Sequence, residues 1–309
     1  MAGMPEFHRS LEKAELHVHL EGSIEPETLR ELDPSLSLDE IRERYEYDDF
    51  TGFLRSFAWV ARRLQSPRDY ALITRRLLER LEAQNVRYAE IILAAGVVLW
   101  KEMDLEKVDE AVQAEAAASR VDVWWIWDAV RQFPAAQAQQ MTELAARRVG
   151  DGVAAIGLGG DEARGPAHNF AGVFRYARDH GLRLTCHAGE TAGPESVWAA
   201  LEIGAERIGH GIRAIGDPAL VAHLAAHRVP LEISITSNVR TGAVARLEDH
   251  PVRKLYEAGV PVVLNTDDPA MFQTTLVREY ELAEEAFGFT REELRGLAEN
   301  GFRYAFNRS

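Results

Sequence analysis

The sequence predicts one α/β domain built as a (β/α)8 barrel, also called a TIM barrel, and three observations support this fold class. Eight short apolar runs alternate with longer amphipathic stretches along the 309 residues, as expected for parallel strands joined by helices. No linker-like stretch or internal repeat divides the chain, and barrels of this length commonly form one domain. Polar residues gather at the carboxyl ends of the apolar runs, which meet at one mouth in a barrel. A doubly wound open sheet could be built from much the same pattern.

The predicted strands are separated by segments long enough to hold a helix each. They occupy residues 14–20, 86–93, 121–127, 152–158, 182–188, 207–210, 229–234 and 261–265. Two of the intervening helices have clear start signals in the sequence. Ser66 can cap a helix that begins at Pro67, and Thr290 with Glu293 matches a capping box.

The segment between the first and second predicted strands is unusually long, at about sixty-five residues. Excursions of this length often form lids. We therefore predict a single domain over residues 1–309 in which roughly residues 26–84 form a helical insertion over the barrel mouth.

Composition limits the classes of partner. The formal net charge of -14 and the pI near 5.2 argue against binding to nucleic acid or to an anionic membrane, which are also negative. The single cysteine, Cys186, excludes an intrachain disulfide and a CxxC zinc site. The first ten residues lack an apolar signal region and no apolar run is long enough to span a bilayer, so a cytoplasmic protein with a small-molecule partner is expected. Nothing in the sequence indicates an oligomeric state.

The stretch ELHVHLEGS places two histidines, His17 and His19, two positions apart on a predicted strand, where they face the same way. Such a pair forms either a polar core contact or two ligands of one metal ion. His187 and Asp267 also lie at strand ends. Three imidazoles and a carboxylate suit Zn²⁺, so we predict one zinc ion per chain at these four residues.

Glu190 lies three residues after His187, in HAGE, and is the leading candidate for a general acid and base. The alternative is that the Glu190 carboxylate only supports the metal ligands and takes no part in proton transfer. A binuclear centre bridged by a carboxylated lysine is less favoured, because none of the four lysines is near the fourth strand, although a carboxylate could take the bridging place. The lysines are Lys13, Lys101, Lys107 and Lys254.

Four of the ten histidines fall at predicted strand ends, and His210 is the fourth of them. The remaining six are expected in loops or on helix surfaces, in contact with solvent. They are His8, His168, His180, His223, His227 and His250.

Six motifs in order, ELHVHLEGS, IGLGGDE, CHAGE, IGHG, ITSNVRTG and LNTDDPAMF, closely resemble the adenosine deaminase family of the amidohydrolase superfamily. The resemblance runs from about Lys13 to Phe306. It implies a zinc-bearing barrel that replaces the 6-amino group of an adenine-type base with oxygen and releases ammonia.

Carried over position by position, the resemblance assigns the zinc ligands to His17, His19, His187 and Asp267. It implies that Glu190 protonates purine N1, and that His210 orients the attacking hydroxide and stabilises its charge. Gly160 would donate its backbone N–H to N3, and Asp268 would contact N7. Asn238 is expected to be a structural support.

This chain departs from the family pattern at two positions that bear on the choice of substrate. Adenosine-specific members usually carry Asp in HVHLDG, at the ribose 5'-hydroxyl, where this chain has Glu21, and Ile92 stands where an arginine is more frequent. Glu21 is expected to contact the 5' end of the substrate with a different reach, and Phe50, Phe53 and Phe57 are expected to form an apolar wall over a nucleoside.

These departures favour 6-aminodeoxyfutalosine by a narrow margin, because this intermediate of the alternative menaquinone route has a bulky aryl keto arm in place of the 5'-hydroxyl. Adenosine and then adenine are the alternative substrates. A barrel that has lost catalysis and only binds ligands is disfavoured, because every predicted ligand and Glu190 are present. A zinc hydrolase acting on another C–N bond is a further alternative.

Overall fold

Eight parallel strands pair in chain order, each with the next, in the barrel that the sequence predicts. A computed structural model describes residues 4–307, so residues 1–3, 308 and 309 of the predicted domain lie outside the described part. The ring closes where the first strand meets the end of the eighth, since Val18 forms a bridge with Asp267 and the His19 N–H donates to the Asp267 carbonyl at 2.7 Å. The strands are β1 (Lys13–His19), β2 (Val86–Leu93), β3 (Asp122–Val130), β4 (Val153–Gly159), β5 (Arg183–Ala188), β6 (Arg207–His210), β7 (Leu231–Ile233) and β8 (Val262–Leu264).

Helices follow the strands and surround the barrel. The α-helices are α1 (Met4–Ser10), α2 (Pro26–Leu32), α3 (Leu38–Arg44), α4 (Phe50–Ala61), α5 (Pro67–Ala83), α6 (Ala95–Trp100), α7 (Leu105–Ala118), α8 (Ala135–Ala146), α9 (Ala171–Asp179), α10 (Pro194–Glu202), α11 (Pro218–His227), α12 (Ile235–Arg240), α13 (Val252–Glu257), α14 (Pro269–Phe272), α15 (Leu276–Phe287) and α16 (Arg291–Arg303). Short 3-10 turns occupy Glu21–Ser23, Ala167–Phe170, Ile212–Gly216 and Leu247–Asp249. Within residues 4–307, no helix combines the length and the apolar character needed to cross a membrane.

Both helix starts that the sequence marks are present. At the start of α5 the backbone N–H of Ser66 donates to Asp69 at 2.8 Å. At the start of α16, Thr290 and Glu293 exchange hydrogen bonds at 2.8 and 3.2 Å, which completes the predicted capping box.

Helices α2 to α5 fill the long segment between β1 and β2. Helix α4 places Phe50, Phe53 and Phe57 on the wall of a cavity at the barrel mouth. Helix α5 instead packs against β2 and α7, in the position of a helix that connects neighbouring strands. The part of the predicted insertion that reaches the mouth is therefore centred on α4.

A buried ion-pair network lies inside the barrel. Arg207 on β6 donates to Glu232 on β7 and to Glu90 on β2, both at 2.5 Å, and none of the three is more than 1 % exposed. Each buried carboxylate thus has a cationic partner, which is the condition under which buried charges are tolerated.

Two histidines that were expected in solvent are buried. His8 is 1 % exposed and lies 2.8 Å from Glu284, and His250 is 4 % exposed. The expectation was wrong for these two because both pack against α15, which is distant from them in sequence. Glu284 on α15 contacts His8, and Phe287 on α15 contacts the His250 ring.

Candidate active site and metal centre

Four side chains converge where β1, β5 and β8 end at the barrel mouth. One possible ligand atom from each of His17, His19, His187 and Asp267 lies within 4.8 Å of all the others. The Nε2 atoms of His19 and His187 are 3.1 Å apart, and Asp267 Oδ1 is 3.3 Å from the Nε2 atoms of both His17 and His19. The structure thus brings together the four residues that the sequence proposed as ligands.

These spacings fit a zinc ion. Ligand atoms at about 2.0–2.1 Å from a tetrahedral zinc lie about 3.4 Å from one another, close to the 3.1 and 3.3 Å separations in the cluster. The buried Nε2 atom of His17 also makes no hydrogen bond to any described residue, as expected of an atom that donates its lone pair to a metal. Donor type, burial and spacing all agree with a mononuclear zinc site.

Neighbouring side chains orient two of the proposed ligands, His17 and Asp267. Glu232 Oε2 lies 2.7 Å from His17 Nδ1, on the far side of the ring from the cluster, and Arg207 fixes that carboxylate in turn. The Ser237 hydroxyl donates to Asp267 Oδ2 at 2.6 Å. Such contacts hold ligands in a productive orientation and raise metal affinity.

The backbone is strained at two positions of the site. Asp267 has φ of 66° and His210 has φ of 62°, in the left-handed region that non-glycine residues seldom occupy. Such conformations cost about 1–3 kcal/mol each and persist only where the surroundings enforce them. Asp267 belongs to the metal cluster, and His210 Nε2 lies 3.9 Å from the Asp267 Oδ2 atom.

A chain of hydrogen bonds sets the proton position on His210. The Val252 backbone N–H donates to His250 Nδ1 at 3.2 Å, and burial lowers the pKa of His250 to about 3, so its proton is on Nε2. That Nε2–H donates to Asn238 Oδ1 at 3.1 Å, and the Asn238 amide donates to His210 Nδ1 at 3.0 Å. His210, whose pKa burial lowers to about 4, therefore carries its proton on Nε2, 3.7 Å from Glu190.

Glu190 is a buried carboxyl on a firmly held loop. Glu162 accepts the backbone N–H groups of Gly189, Glu190 and Thr191 at 2.7 to 3.0 Å, which fixes the turn after β5. Burial, with the charges of Asp267 and Glu162, raises the pKa of Glu190 well above its usual range. The raised pKa favours the protonated carboxyl, which is the form that can act as an acid.

Asp268 is 2 % exposed, lines the cavity, and its Oδ1 atom has no hydrogen-bond partner among the described residues. Burial beside Asp267 raises its pKa well above the usual range. A β-carbon on Gly22 would lie 1.6 Å from this oxygen, so only glycine allows the carboxyl to take this position. Gly160 also lines the cavity, with φ of 96°.

The cavity above the cluster has a volume of about 290 Å³ and opens at the barrel mouth. Its deep end is lined by Glu190, His210 and three of the four proposed metal ligands, namely His19, His187 and Asp267, and its outer wall is mostly apolar. The predicted Phe50, Phe53 and Phe57 all line it, and the ring centroid of Phe57 lies 6.2 Å from that of His19. This size and lining suit a small organic ligand.

Glu21 does not line this cavity. It is fully buried, and its carboxylate accepts the backbone N–H of Ala94 at 3.2 Å. Ala94 is the residue that faces the cavity there. The longer side chain of Glu21 thus reaches the backbone that follows β2, and the predicted direct contact with the 5' end of a substrate is not present in this geometry.

Asp128, near the end of β3, is a residue of the site that was not predicted from the sequence. It lines the cavity, is 5 % exposed, and its Oδ1 atom has no hydrogen-bond partner among the described residues. Burial raises its pKa to about 8. A β-carbon on Gly157 or Gly159 would lie 2.3 or 2.4 Å from its oxygens. A signal existed, because Asp128 directly follows the predicted strand 121–127.

The fold and the site are those of a barrel hydrolase in which four residues that could hold a metal ion lie beside a buried carboxyl. The family model for adenosine deaminase matches residues 12–309. The chain belongs to the adenosine deaminase family of the amidohydrolase superfamily, whose resemblance the motifs indicated, and it is a hydrolase that acts on C–N bonds of cyclic amidines.

Relatives of the chain differ in the substrate for which they are named. The chain is 37 % identical to an aminodeoxyfutalosine deaminase of Streptomyces avermitilis, over 97 % of this chain and 88 % of that protein. It is 36 % identical to an adenosine deaminase of Klebsiella pneumoniae, over 96 % and 94 %. Identities this similar support a deaminase of adenosine-like substrates and do not choose among them.

Solved structures agree with the fold. An adenine deaminase from Arthrobacter aurescens superposes with a TM-score of 0.90 at 31 % identity, covering 96 % of this chain and 94 % of that one. An amidohydrolase from Burkholderia ambifaria with bound zinc gives a TM-score of 0.92 at 26 % identity, covering 100 % and 89 %.

Proposed function

We propose that this protein is a zinc-dependent deaminase of 6-aminopurine nucleosides, and that 6-aminodeoxyfutalosine is its preferred substrate. The observation that carries the proposal is one continuous cavity that joins the acid-lined metal cluster to an apolar outer wall. The deep end supplies the chemistry of deamination, and the outer wall suits an apolar group on the 5' side. With that substrate the enzyme would serve the alternative menaquinone route.

One zinc ion would be held by His17, His19, His187 and Asp267. When bound, zinc supplies a Lewis acid that makes water a nucleophile near neutral pH. The residues of the chain perform the remaining tasks, which are to bind the base, to place protons on it and to exclude solvent.

Glu190 and Asp268 suit the two acceptor nitrogens of the base. Purine N1 and N7 carry lone pairs, so each needs a donor, and both carboxyls have raised pKa values because they are buried. Glu190 donates a proton to N1, which disrupts the aromatic ring and makes C6 electrophilic. Asp268 donates a hydrogen bond to N7, and the Gly160 N–H donates to N3.

His210 acts as a donor at the reacting centre. The hydrogen bonds through Asn238 and His250 keep its proton on Nε2, so it orients the attacking water and stabilises the negative charge that develops on the oxygen. After attack at C6, the tetrahedral intermediate expels ammonia and leaves the 6-oxo base.

The apolar outer wall supports a substrate with a 5' arm. Burying an aryl group of about 150 Å² would contribute roughly 4 kcal/mol, whereas the hydrogen bond of a 5'-hydroxyl contributes about 1 kcal/mol. Glu21, the candidate partner for that hydroxyl, is turned away from the cavity.

A substrate comparison tests the proposal. We expect kcat/KM for 6-aminodeoxyfutalosine to exceed the values for adenosine, 5'-methylthioadenosine and adenine on one preparation, measured as ammonia release. If adenosine is preferred by tenfold or more, the protein is an adenosine deaminase with a tolerant 5' pocket. If free adenine is preferred, the outer wall does not select for a nucleoside.

A further inference from the structure

The outer end of the cavity is formed by an arginine and two aromatic rings. Arg62, Trp100 and Phe133 line the same cavity as three of the four proposed metal ligands. The Trp100 and Phe133 rings are nearly parallel, at 13°, with centroids 5.9 Å apart. The Arg62 guanidinium lies 6.0 Å from the Trp100 centroid, and Trp100 is 48 % exposed. We call these three residues the rim.

Hydrogen bonds between the ends of α4 and α6 hold the rim in place. Lys101, at the end of α6, donates its ammonium to the carbonyl oxygens of Ala61, at 2.8 Å, and Leu64. These carbonyls flank Arg62 at the end of α4, so Lys101 fixes the arginine beside Trp100, its own neighbour in sequence. The rim side chains are therefore held in place without a ligand, which lowers the entropic cost of binding one.

Helix α4 sets the distance from the rim to the metal cluster. Phe57 packs near His19, and Arg62 follows five residues later, a rise of roughly 7.5 Å along the helix. A nucleoside with C6 at the metal cluster extends its sugar toward the mouth, so a substituent on the 5' carbon would reach the rim.

Charge is distributed unevenly along the cavity. Asp128, Glu190, Asp267 and Asp268 lie among its lining residues, and Arg62 is the one arginine or lysine among those described. Within residues 4–307 its guanidinium has an aromatic contact but no ion pair. Because the chain has 49 acidic and only 35 basic residues, an arginine without an acidic partner is unusual in it.

We propose that the rim is a recognition site for an aryl carboxylate carried on the 5' side of the nucleoside. The inference rests on the proposed function and specifies its substrate class. A planar guanidinium binds a carboxylate through two parallel hydrogen bonds, and the flat faces of Trp100 and Phe133 offer stacking partners for the aryl ring. A 5'-phosphate is less well matched, because it needs several cationic donors and the lining offers one.

The first test needs no variant. 6-Aminodeoxyfutalosine, whose arm ends in a benzoate, is compared with its methyl ester, in which the carboxylate is neutral and the ring is kept. We expect kcat/KM for the acid to exceed that for the ester by about threefold or more, as for a partly exposed ion pair, with the preference falling at high salt. A smaller ratio, or a preference for AMP over both compounds, overturns the rim proposal.

The second test assigns the preference to Arg62. In Arg62→Gln the acid-to-ester ratio should fall to about one. In Arg55→Gln, which alters another arginine of α4 that is outside the cavity lining, the ratio should stay at the wild-type value. An unchanged ratio in Arg62→Gln overturns the assignment. The proposed function fails separately, if the wild-type enzyme deaminates none of these nucleosides.

Discussion

Replacing Asn238 by aspartate should convert His210 from a permanent donor into one that depends on pH. In the wild-type protein the Asn238 amide donates to His210 Nδ1 at 3.0 Å, and the proton of the neutral ring is on Nε2. The Asn238→Asp variant has nearly the same shape but presents only acceptor oxygens. One oxygen still accepts from His250, and the other faces His210 Nδ1, which must then carry a proton.

The direction of the pH dependence follows from this arrangement. The new carboxylate raises the pKa of His210 above its wild-type value of about 4. Below the raised pKa the ring is an imidazolium and keeps its Nε2–H. As pH rises through that pKa, the proton leaves Nε2 because the carboxylate holds the one on Nδ1. The donor at the reacting centre is then lost.

We expect kcat of Asn238→Asp to fall on the alkaline side by about 10²- to 10³-fold, equivalent to about 2.7–4 kcal/mol, as when one donor to a developing oxyanion is removed. The measurement is kcat with saturating adenosine from pH 5.5 to pH 9, with the zinc content determined in parallel. Asn169→Asp, the same chemical change at an exposed position, is the control. Turnover of Asn238→Asp within tenfold of wild type at pH 8 to 9, with zinc retained, would refute the proton assignment.

Three further outcomes are expected. Glu190→Gln should keep its zinc but lose about 10²- to 10⁴-fold in kcat, because an amide cannot protonate N1; near-normal turnover would remove Glu190 from the mechanism. His17→Ala should lose zinc and activity together, whereas elemental analysis that finds two tightly bound metals in the wild type would contradict a mononuclear centre. Arg207→Leu should lower the free energy of unfolding by about 3–5 kcal/mol, because Glu90 and Glu232 would be buried without a cationic partner; a change below about 1 kcal/mol in urea denaturation would show that the network contributes little.

The sequence by itself predicted the barrel and the convergence of its polar residues. Strand and helix periodicities are local properties, and parallel strands in a closed barrel place all their carboxyl ends at one mouth. His17 and His187 therefore meet although 170 positions separate them. The same rule also applies to Asp128, which directly follows the predicted third strand and was overlooked.

The tertiary structure alone decided which side chains face the cavity and which lie behind it. Glu21 and Arg62 show the difference, since both lie in the segment between β1 and β2. Glu21 is fully buried against Ala94, whereas Arg62 lines the cavity beside Trp100. Their orientations depend on how α4 and α6 pack, which no local pattern encodes. His250 was misjudged for the same reason, since its ring packs against Phe287 on α15, which is distant from it in sequence. Sequence periodicity determined where the ends of the strands lie, and packing between distant segments determined the direction of each side chain there.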